Sequence, residues 1–151
     1  FYNATSSEEM RLNPDIFEVY SGAGDITTAM TVYDSGLVIK EYNLCGNDVT
    51  TENAYNYYLG TTAGRYEISS TANGGSLLVI GDTSVYPMLP FLSCHYTKID
   101  YINPAEYQGH LAEFLKTHSY DDILTMCYST NAINGDYIPT LNLLTGVIIN
   151  E

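Results

Sequence analysis

Three short apolar runs in the second half of the chain restrict its fold more than any other feature. They are residues 77–80 (LLVI), 99–102 (IDYI) and 123–128 (ILTMCY). The first contains no polar residue, as a strand that is buried on both faces of a sheet requires. Strand alternates with helix-like sequence here, and this order predicts a parallel sheet with right-handed crossovers.

Two helices are predicted beside these runs. Residues 103–106 (Asn-Pro-Ala-Glu) offer an Asn as N-cap, a Pro at the first helical position and a Glu at the third, which is typical of a helix start. Apolar side chains within residues 107–115 recur at helical spacing and predict one face packed on the sheet. Residues 131–135 are expected to form a loop, and residues 138–145 a last helix closed by Gly146.

The first 70 residues are expected to be β-rich, because short runs of β-branched and aromatic residues alternate there with turn residues. These predicted strands are residues 16–20, 27–33, 36–42 and 65–70. A short helix is predicted over residues 51–59, with Gly60 just past its end. The chain of 151 residues is therefore expected to be a single α/β domain, or the C-terminal part of a larger one. Residues 1–70 would form its β-rich segment and residues 71–151 its βαβαβ segment.

The charge balance excludes several classes of function. The chain has 5 Lys and Arg against 18 Asp and Glu, a formal net charge of −13. A surface this acidic repels nucleic-acid backbones and anionic lipid headgroups. Neither nucleic acid nor a membrane is therefore an expected partner. No apolar run is long enough to insert into a membrane. The three cysteines and three histidines lack metal-ligand spacing, so no metal or cofactor is predicted. The chain begins at Phe1 and has no signal-peptide pattern, which favours a processed or trimmed product.

Polar clusters follow each of the three apolar runs. They are Gly81-Asp82-Thr83-Ser84, Asn103 and Ser129-Thr130-Asn131. Because the carboxyl ends of parallel strands share one edge of a sheet, these clusters are expected to meet. A hydroxyl of Thr83 or Ser84 would then lie at a helix N-terminus, where N–H groups and the helix dipole favour a developing oxyanion. The alternative is that the same hydroxyl only caps the helix.

The pattern of these residues resembles a known family. Asp82, the segment Pro90-Phe91-Leu92, the pair His95-Tyr96, Ile99 and Tyr107 fall in the register of the C-terminal half of the DHHW family. These are bacterial extracytoplasmic proteins related to SGNH hydrolases and to alginate O-acetyltransferase-like enzymes. The resemblance covers about residues 48–134, and it implies a short parallel SGNH- or flavodoxin-like sheet with flanking helices.

The resemblance also implies a chemistry. It implies a serine nucleophile on the turn after the first strand, oxyanion donors from neighbouring loops, and an Asp-His pair from an earlier part of the chain. Here Thr83 stands at the serine position, with Ser84 next to it, and Asn131 stands where SGNH enzymes keep an oxyanion-stabilising Asn. No Asp-x-His or Asp-x-x-His occurs in the sequence. A hydroxyl without a base is a poor nucleophile at neutral pH.

The leading hypothesis is an extracytoplasmic bacterial O-acyl esterase or transferase that acts on cell-surface polysaccharide. Its candidate catalytic residues are Asp82, Thr83, Ser84 and Asn131. The alternative is a non-catalytic relative that keeps the fold and binds a glycan or a protein through some of its 15 tyrosines. A flavodoxin-like binder of phosphate or a small molecule is a weaker option, because the first strand-to-helix turn has no glycine-rich phosphate loop.

Overall fold

A mixed sheet of six strands organises the part of the chain that the computed structural model describes, which is residues 26–34, 37–47, 56–134 and 137–146. The strands are β1 (Thr28–Asp34), β2 (Leu37–Tyr42), β3 (Arg65–Ser70), β4 (Ser76–Gly81), β5 (Lys98–Ile102) and β6 (Asp122–Met126). Their order across the sheet is β2-β1-β3-β5-β4-β6. β4 runs parallel to β5 and β6, whereas β1 pairs antiparallel with β2 and β3, and β3 antiparallel with β5.

Short helices flank the sheet. They are α1 (Asn56–Leu59), a 3₁₀ helix (Thr83–Met88), α2 (Leu89–Leu92), α3 (Leu111–Thr117), α4 (Ser129–Asn134) and α5 (Tyr137–Thr145). Gly146 follows α5 with φ of +71°, a left-handed conformation that closes helices and suits glycine. Within the described residues, no helix has the length and hydropathy that a bilayer span requires.

The two faces of the sheet bury different cores. On one face, Val85, Tyr86 and Leu89 pack against the strands, and the rings of Tyr86 and Tyr101 meet edge to face with centroids 5.6 Å apart. On the other face, Leu111 of α3 packs on a smaller cluster that includes Ile80 of β4. β4 therefore contributes buried side chains to both faces, as its apolar sequence predicts.

The second face also contains a buried charge network. The Asp100 side chain is fully buried, and its Oδ1 atom accepts a hydrogen bond from Arg65 Nε at 2.9 Å. Its Oδ2 atom accepts from the Tyr120 hydroxyl at 2.7 Å and lies 3.5 Å from Lys98 Nζ. Glu67 completes the network with ion pairs to Arg65 at 3.0 Å and to Lys98 at 3.2 Å. Each buried charge thus has an opposite partner, which is the condition for burying it.

The predicted α/β fold class is confirmed. The three apolar runs form the parallel strands β5, β4 and β6, and the β-rich segment adds antiparallel strands to the same sheet. The last helix and its closing Gly146 are also found where they were predicted. The predictions for residues 16–20 and 51–55 lie outside the described residues.

The predicted helix start at residues 103–106 is wrong. Asn103 begins one turn instead, since its carbonyl oxygen accepts from the N–H groups of Glu106 and Tyr107, and its Oδ1 accepts from Ala105 N at 3.1 Å. The chain then packs against buried Gly64, where a Cβ atom would lie 2.7 Å from Tyr107 Cα. This contact turns the backbone away from a helical path, and α3 begins only at Leu111.

The loop predicted for residues 131–135 is also wrong in part. Residues up to Asn134 belong to α4, which begins at Ser129 directly after the third parallel strand. The N–H groups of Asn131 and Ala132 both donate to the Tyr128 carbonyl oxygen, and these bonds open the helix. Asn131 therefore lies in the first turn of a helix, where its position is fixed by backbone hydrogen bonds.

Candidate active site at the carboxyl edge of the sheet

The carboxyl ends of the three parallel strands lie side by side. Ile80 of β4 pairs with Ile102 of β5, and Gly81 pairs with Met126 of β6. The segments that leave these strands therefore begin at one edge of the sheet, and they bring Asp82 next to Asn131, 49 residues further along the chain. This is the edge at which open α/β sheets hold their ligands.

The Asp82 carboxylate is the centre of this edge and accepts four hydrogen bonds. Its Oδ1 atom accepts from the backbone N–H of Ser84 at 3.0 Å and from the Ser84 hydroxyl at 2.5 Å. Its Oδ2 atom accepts from the backbone N–H of Tyr128 at 2.8 Å and from Nδ2 of Asn131 at 2.6 Å. One side chain thus joins the segment after β4 to the segment after β6.

These bonds determine the charge of Asp82. Partial burial acts to raise its pKa, but the hydrogen bonds from Ser84, Tyr128 and Asn131 outweigh burial and hold the pKa below its ordinary value. The carboxylate is therefore ionised at neutral pH. Its four lone-pair sites are all in use, so it positions its neighbours and does not serve as a free proton acceptor.

Close packing fixes the turn that carries Asp82. A Cβ atom on Gly81 would lie 2.4 Å from Val85 Cγ2 and 2.5 Å from the Met126 carbonyl oxygen, so only glycine fits there. The buried Tyr101 hydroxyl lies 3.0 Å from the Gly81 carbonyl oxygen and 3.1 Å from that of Asp82, and it donates to this pair. The backbone at the strand end is consequently held by a side chain from β5.

Thr83 and Ser84 occupy different environments. The Ser84 hydroxyl and N–H both donate to Asp82, so this serine is tied into the cap of the 3₁₀ helix. Thr83 is exposed, and none of the hydrogen bonds among the described residues uses its hydroxyl. Of the two candidate hydroxyls, the one on Thr83 is the one open to a ligand.

A cavity of about 190 Å³ lies beside Asp82. Its lining includes Asn103, Asn131, Tyr137 and Thr140. The Tyr137 hydroxyl donates to the Ile80 carbonyl oxygen at 3.3 Å, and burial, with nearby Cys127 and Asp82, raises the pKa of Tyr137 to about 12. The tyrosine therefore keeps its proton at neutral pH and adds a neutral wall to the cavity.

A general base is missing from this site as far as the described residues go. His118 instead stacks on Phe114, with ring centroids 4.0 Å apart, and its Nδ1 lies 2.9 Å from the Phe114 carbonyl oxygen. His95 and His110 are exposed and form no hydrogen bond with Asp82, Thr83 or Ser84. No group of three metal-binding side chains occurs within the same described ranges.

Comparison with known proteins gives a likeness in structure only. No family model matches the sequence, and no curated protein does. The chain is similar to a solved DHHW family protein from Eubacterium siraeum DSM 15702, with a TM-score of 0.69 and 18% identity over 99% of this chain and 50% of that protein. It is also similar to Bacillus cereus PatB1, with a TM-score of 0.56 and 18% identity. A structure of PatB1 with a sulfonyl adduct is similar to this chain with a TM-score of 0.57 and 16% identity.

Both PatB1 structures match 72% of this chain and 38% of their own. The chain therefore spans half or less of the length of these proteins. At such identities the likeness shows a shared α/β fold, and it agrees with the predicted resemblance to the DHHW family at that level. The assignment to the C-terminal half of the family stays a prediction.

Sequence reasoning found some of the residues at this edge and missed others. The structure brings Asp82, Ser84 and Asn131 into one hydrogen-bonded group, with Thr83 exposed beside it. It places Asn103 at the cavity wall, 4% exposed and with its Oδ1 occupied by the turn. The residues missed are Tyr101, the backbone N–H of Tyr128, and Tyr137. Nothing in their local sequence distinguishes them from the other tyrosines of the chain.

Proposed function

We propose that the chain carries the acyl-binding half of an SGNH-like active site, in a bacterial extracytoplasmic O-acyl (acetyl) esterase or transferase acting on cell-surface polysaccharide. Two findings support this. One is the fold shared with a DHHW family protein and with PatB1, which is known with a sulfonyl adduct. The other is the polar group built around Asp82 at the ligand-binding edge of the sheet.

The observation that carries the proposal is that Asp82 holds Ser84 and Asn131 in place while the hydroxyl of Thr83 stays open. In this arrangement Thr83 is the residue acylated. Asn131 uses one N–H of its amide on Asp82 and has a second N–H for an oxyanion. Ser84 and Asp82 are positioning residues, since they act through the turn and through Asn131.

The chemistry proceeds as an acyl transfer in two steps. The Thr83 oxygen attacks the carbonyl carbon of an acyl ester, its proton passes to a base, and the oxyanion accepts hydrogen bonds from Asn131 and from the N–H of Thr83. The base then gives the proton to the departing alcohol, and an acyl-threonine remains. In the second step, water or a sugar hydroxyl attacks the carbonyl carbon of this acyl-threonine and gives its proton to the base. The bond to the Thr83 oxygen then breaks, and the base returns the proton to the threonine. The three histidines of this sequence, His95, His110 and His118, do not hydrogen-bond to Asp82, Thr83 or Ser84. The proposal therefore assigns the base to a histidine that a further segment of the gene product would supply.

The test uses the full product of the gene, with p-nitrophenyl acetate as substrate and phenylmethylsulfonyl fluoride as a covalent probe. We expect a burst of p-nitrophenol and a sulfonyl adduct on the peptide that contains Thr83. Thr83→Ala should abolish both. Thr83→Ser should give a burst at least as fast, because it removes a methyl group that crowds the attacking oxygen.

Thr117→Ala is the matched control, because Thr117 is an exposed threonine of α3 outside the site. It should behave like the wild-type protein. A burst and an adduct that persist in Thr83→Ala would overturn the assignment of Thr83. An adduct that moves to Ser84 would show that the nucleophile is the second hydroxyl.

A second candidate function is a non-catalytic module that binds a glycan or a protein. A specific observation favours it: the N–H of Ser84 donates to the Asp82 side chain and the N–H of Val85 to the Asp82 carbonyl oxygen at 3.1 Å. The backbone donors that follow either hydroxyl are therefore used within the turn, and they are not free for an oxyanion. Absence of both burst and adduct in the wild-type protein would support this function over the enzyme.

A further inference from the structure

A second cavity, of about 260 Å³, opens at the same edge of the sheet as the candidate active site. Its lining includes Tyr33, Arg65, Glu106, Tyr107 and Gln108. We propose that this cavity is a binding subsite for one unit of a neutral glycan chain. The inference deepens the proposed function and rests on it for the identity of the glycan as the acyl-bearing substrate.

The strand register places both cavities on one edge. Tyr33 pairs with Arg65, and Arg65 pairs with Ile102. Ile102 pairs in turn with Ile80, whose neighbour Gly81 leads into the Asp82 turn. Two inter-strand spacings, roughly 10 Å, separate the ends of β3 and β4, which is on the scale of a disaccharide.

One loop connects the two cavities. Asn103, Pro104 and Ala105 line the cavity beside Asp82, and residues 106–109 line the second cavity. The loop is anchored to the sheet edge through the N–H of Asn103, which donates to the Gly64 carbonyl oxygen at 3.0 Å. A glycan of several sugar units that lies along this loop can therefore occupy both cavities at once.

Arg65 gives the second cavity a fixed hydrogen-bond donor. Its guanidinium carbon lies 4.3 Å from the centroid of the Tyr33 ring and 4.9 Å from that of Phe114. Its Nε and Nη2 atoms bond to Asp100 and Glu67, whereas Nη1 forms none of the hydrogen bonds or ion pairs among the described residues. Two N–H groups are thus held in place and left for a ligand, at little further cost in side-chain entropy.

The charges around Arg65 favour a neutral ligand over an anion. Arg65 and Lys98 carry two positive charges, and Asp100 and Glu67 carry two negative ones in the same network. Glu106 then adds an exposed carboxylate to the cavity lining, in a chain of net charge −13. An anionic group would meet a net negative field, so hydroxyl groups are the ligand chemistry that these donors suit.

Tyr107 supplies the amphipathic surface that a sugar ring needs. Its ring is half-buried and meets Phe114 edge to face with centroids 6.5 Å apart. Its hydroxyl lies close to Gly109, where a Cβ atom would come within 2.6 Å of it, and it forms no hydrogen bond within the described part of the chain. An apolar ring face with a free hydroxyl, beside the amide of Gln108, matches the alternating C–H and O–H surfaces of a pyranose.

The experiment uses Gln108, which is the single glutamine of the chain. Its side-chain amide, labelled with ¹⁵N in the full chain, gives one identifiable pair of NMR signals at the cavity wall. The probes are the neutral tetrasaccharides cellotetraose, chitotetraose, maltotetraose and xylotetraose, with tetragalacturonic acid as the anionic comparison. None is an acyl ester, so binding is measured without the proposed chemistry.

We expect saturable shifts of the Gln108 signals with at least one neutral tetrasaccharide, and weaker or no binding of tetragalacturonic acid. Tyr107→Phe, which removes one hydroxyl, should weaken binding by about fivefold to tenfold. Tyr96→Phe is the matched control, because the Tyr96 hydroxyl bonds to Asp122 at 3.0 Å near the opposite ends of the strands. Its affinity should equal that of the wild type.

Three results would overturn the inference: no shift of Gln108 with any neutral probe, tighter binding of tetragalacturonic acid, or equal affinities for Tyr107→Phe and Tyr96→Phe. Failure here and failure of the proposed function are distinguishable. A sulfonyl adduct on Thr83 with no shift at Gln108 removes the subsite and keeps the enzyme. Glycan binding without an adduct keeps the subsite and removes the acyl chemistry.

Discussion

Replacing Asp82 by asparagine tests whether one carboxylate holds the candidate site together. The substitution keeps the shape of the side chain and replaces one acceptor oxygen by an N–H₂ group. Whichever way the new amide turns, that group faces donors: Ser84 on one side, or Tyr128 and Asn131 on the other. The Ser84 hydroxyl and the Asn131 amide can rotate to present an oxygen, but a backbone N–H cannot.

The expected loss follows from this count. At least one backbone N–H, of Ser84 or Tyr128, loses a charged acceptor, and the side-chain bond beside it becomes a weaker neutral one. A hydrogen bond to a charged group contributes about 1.5–3 kcal/mol to stability. Because Asp82 is only half-buried, we expect Asp82→Asn to lower the free energy of unfolding by about 2–3 kcal/mol at neutral pH.

The effect should depend on pH with a defined sign. The folded protein holds the pKa of Asp82 below its ordinary value of 3.8. The stabilisation is therefore complete above that value, and it is lost as the pH falls through the lowered pKa and the carboxylate is protonated. The difference in unfolding free energy between wild type and Asp82→Asn should accordingly shrink at low pH.

Urea unfolding followed by circular dichroism, at about pH 7 and about pH 3, measures this difference. Asp122→Asn is the control, because the exposed Asp122 side chain accepts one hydrogen bond from the described part of the chain, from the Tyr96 hydroxyl. A difference of the same size at both pH values, or a larger one at low pH, would refute the reasoning. So would a loss for Asp82→Asn no greater than that for Asp122→Asn.

Two further substitutions test the packing that supports the site. Gly81→Ala would place a Cβ atom 2.5 Å from the Met126 carbonyl oxygen. We expect a loss of about 3 kcal/mol in the unfolding free energy measured in urea. A loss below about 1 kcal/mol would show that the two strand ends separate easily. Arg65→Met removes the nearest cation from fully buried Asp100 and should cost about 3–5 kcal/mol by the same measurement; an unchanged midpoint would mean that Lys98 alone compensates the carboxylate.

The parallel part of the fold could be predicted because local sequence determines it. Residues 77–80 are apolar without interruption, so they fit only a position that is covered on both faces, and β4 has that position. The polar clusters after the strands then had to meet, because parallel strands end at one edge. The contact between Asp82 and Asn131 follows from this topology. The separation of 49 residues between them in the sequence does not by itself predict it.

The order of the antiparallel strands could not be predicted in this way. β3 pairs with β5 and not with β4, although β4 follows it directly in the chain. The charged residues on one face of β3 and β5 explain the pairing, since Arg65 finds Asp100 only in this order. Complementarity of this kind joins residues 35 positions apart and leaves no local pattern.

The error at Asn103 has a similar cause. An Asn followed by Pro and, two residues later, Glu starts either a helix or a single turn, and both use the same hydrogen bonds in their first residues. Residues after Asn103 determine which of the two forms, because the chain packs on Gly64 at Glu106 and Tyr107 and then contacts the Tyr107 side chain at Gly109. Local signals identify where a turn begins, and tertiary contacts decide whether it continues.

Asn131 and the Tyr128 N–H follow β6, which is an outermost strand of the described sheet and pairs with β4 alone. A strand held along a single side detaches more readily than a central one. Local detachment of β6 would separate Asn131 from Asp82 while the rest of the sheet stays paired. Local detachment of β6 thus requires less free energy than unfolding of the whole sheet. Heating to a temperature below the global unfolding transition would therefore disrupt the contact between Asp82 and Asn131 first.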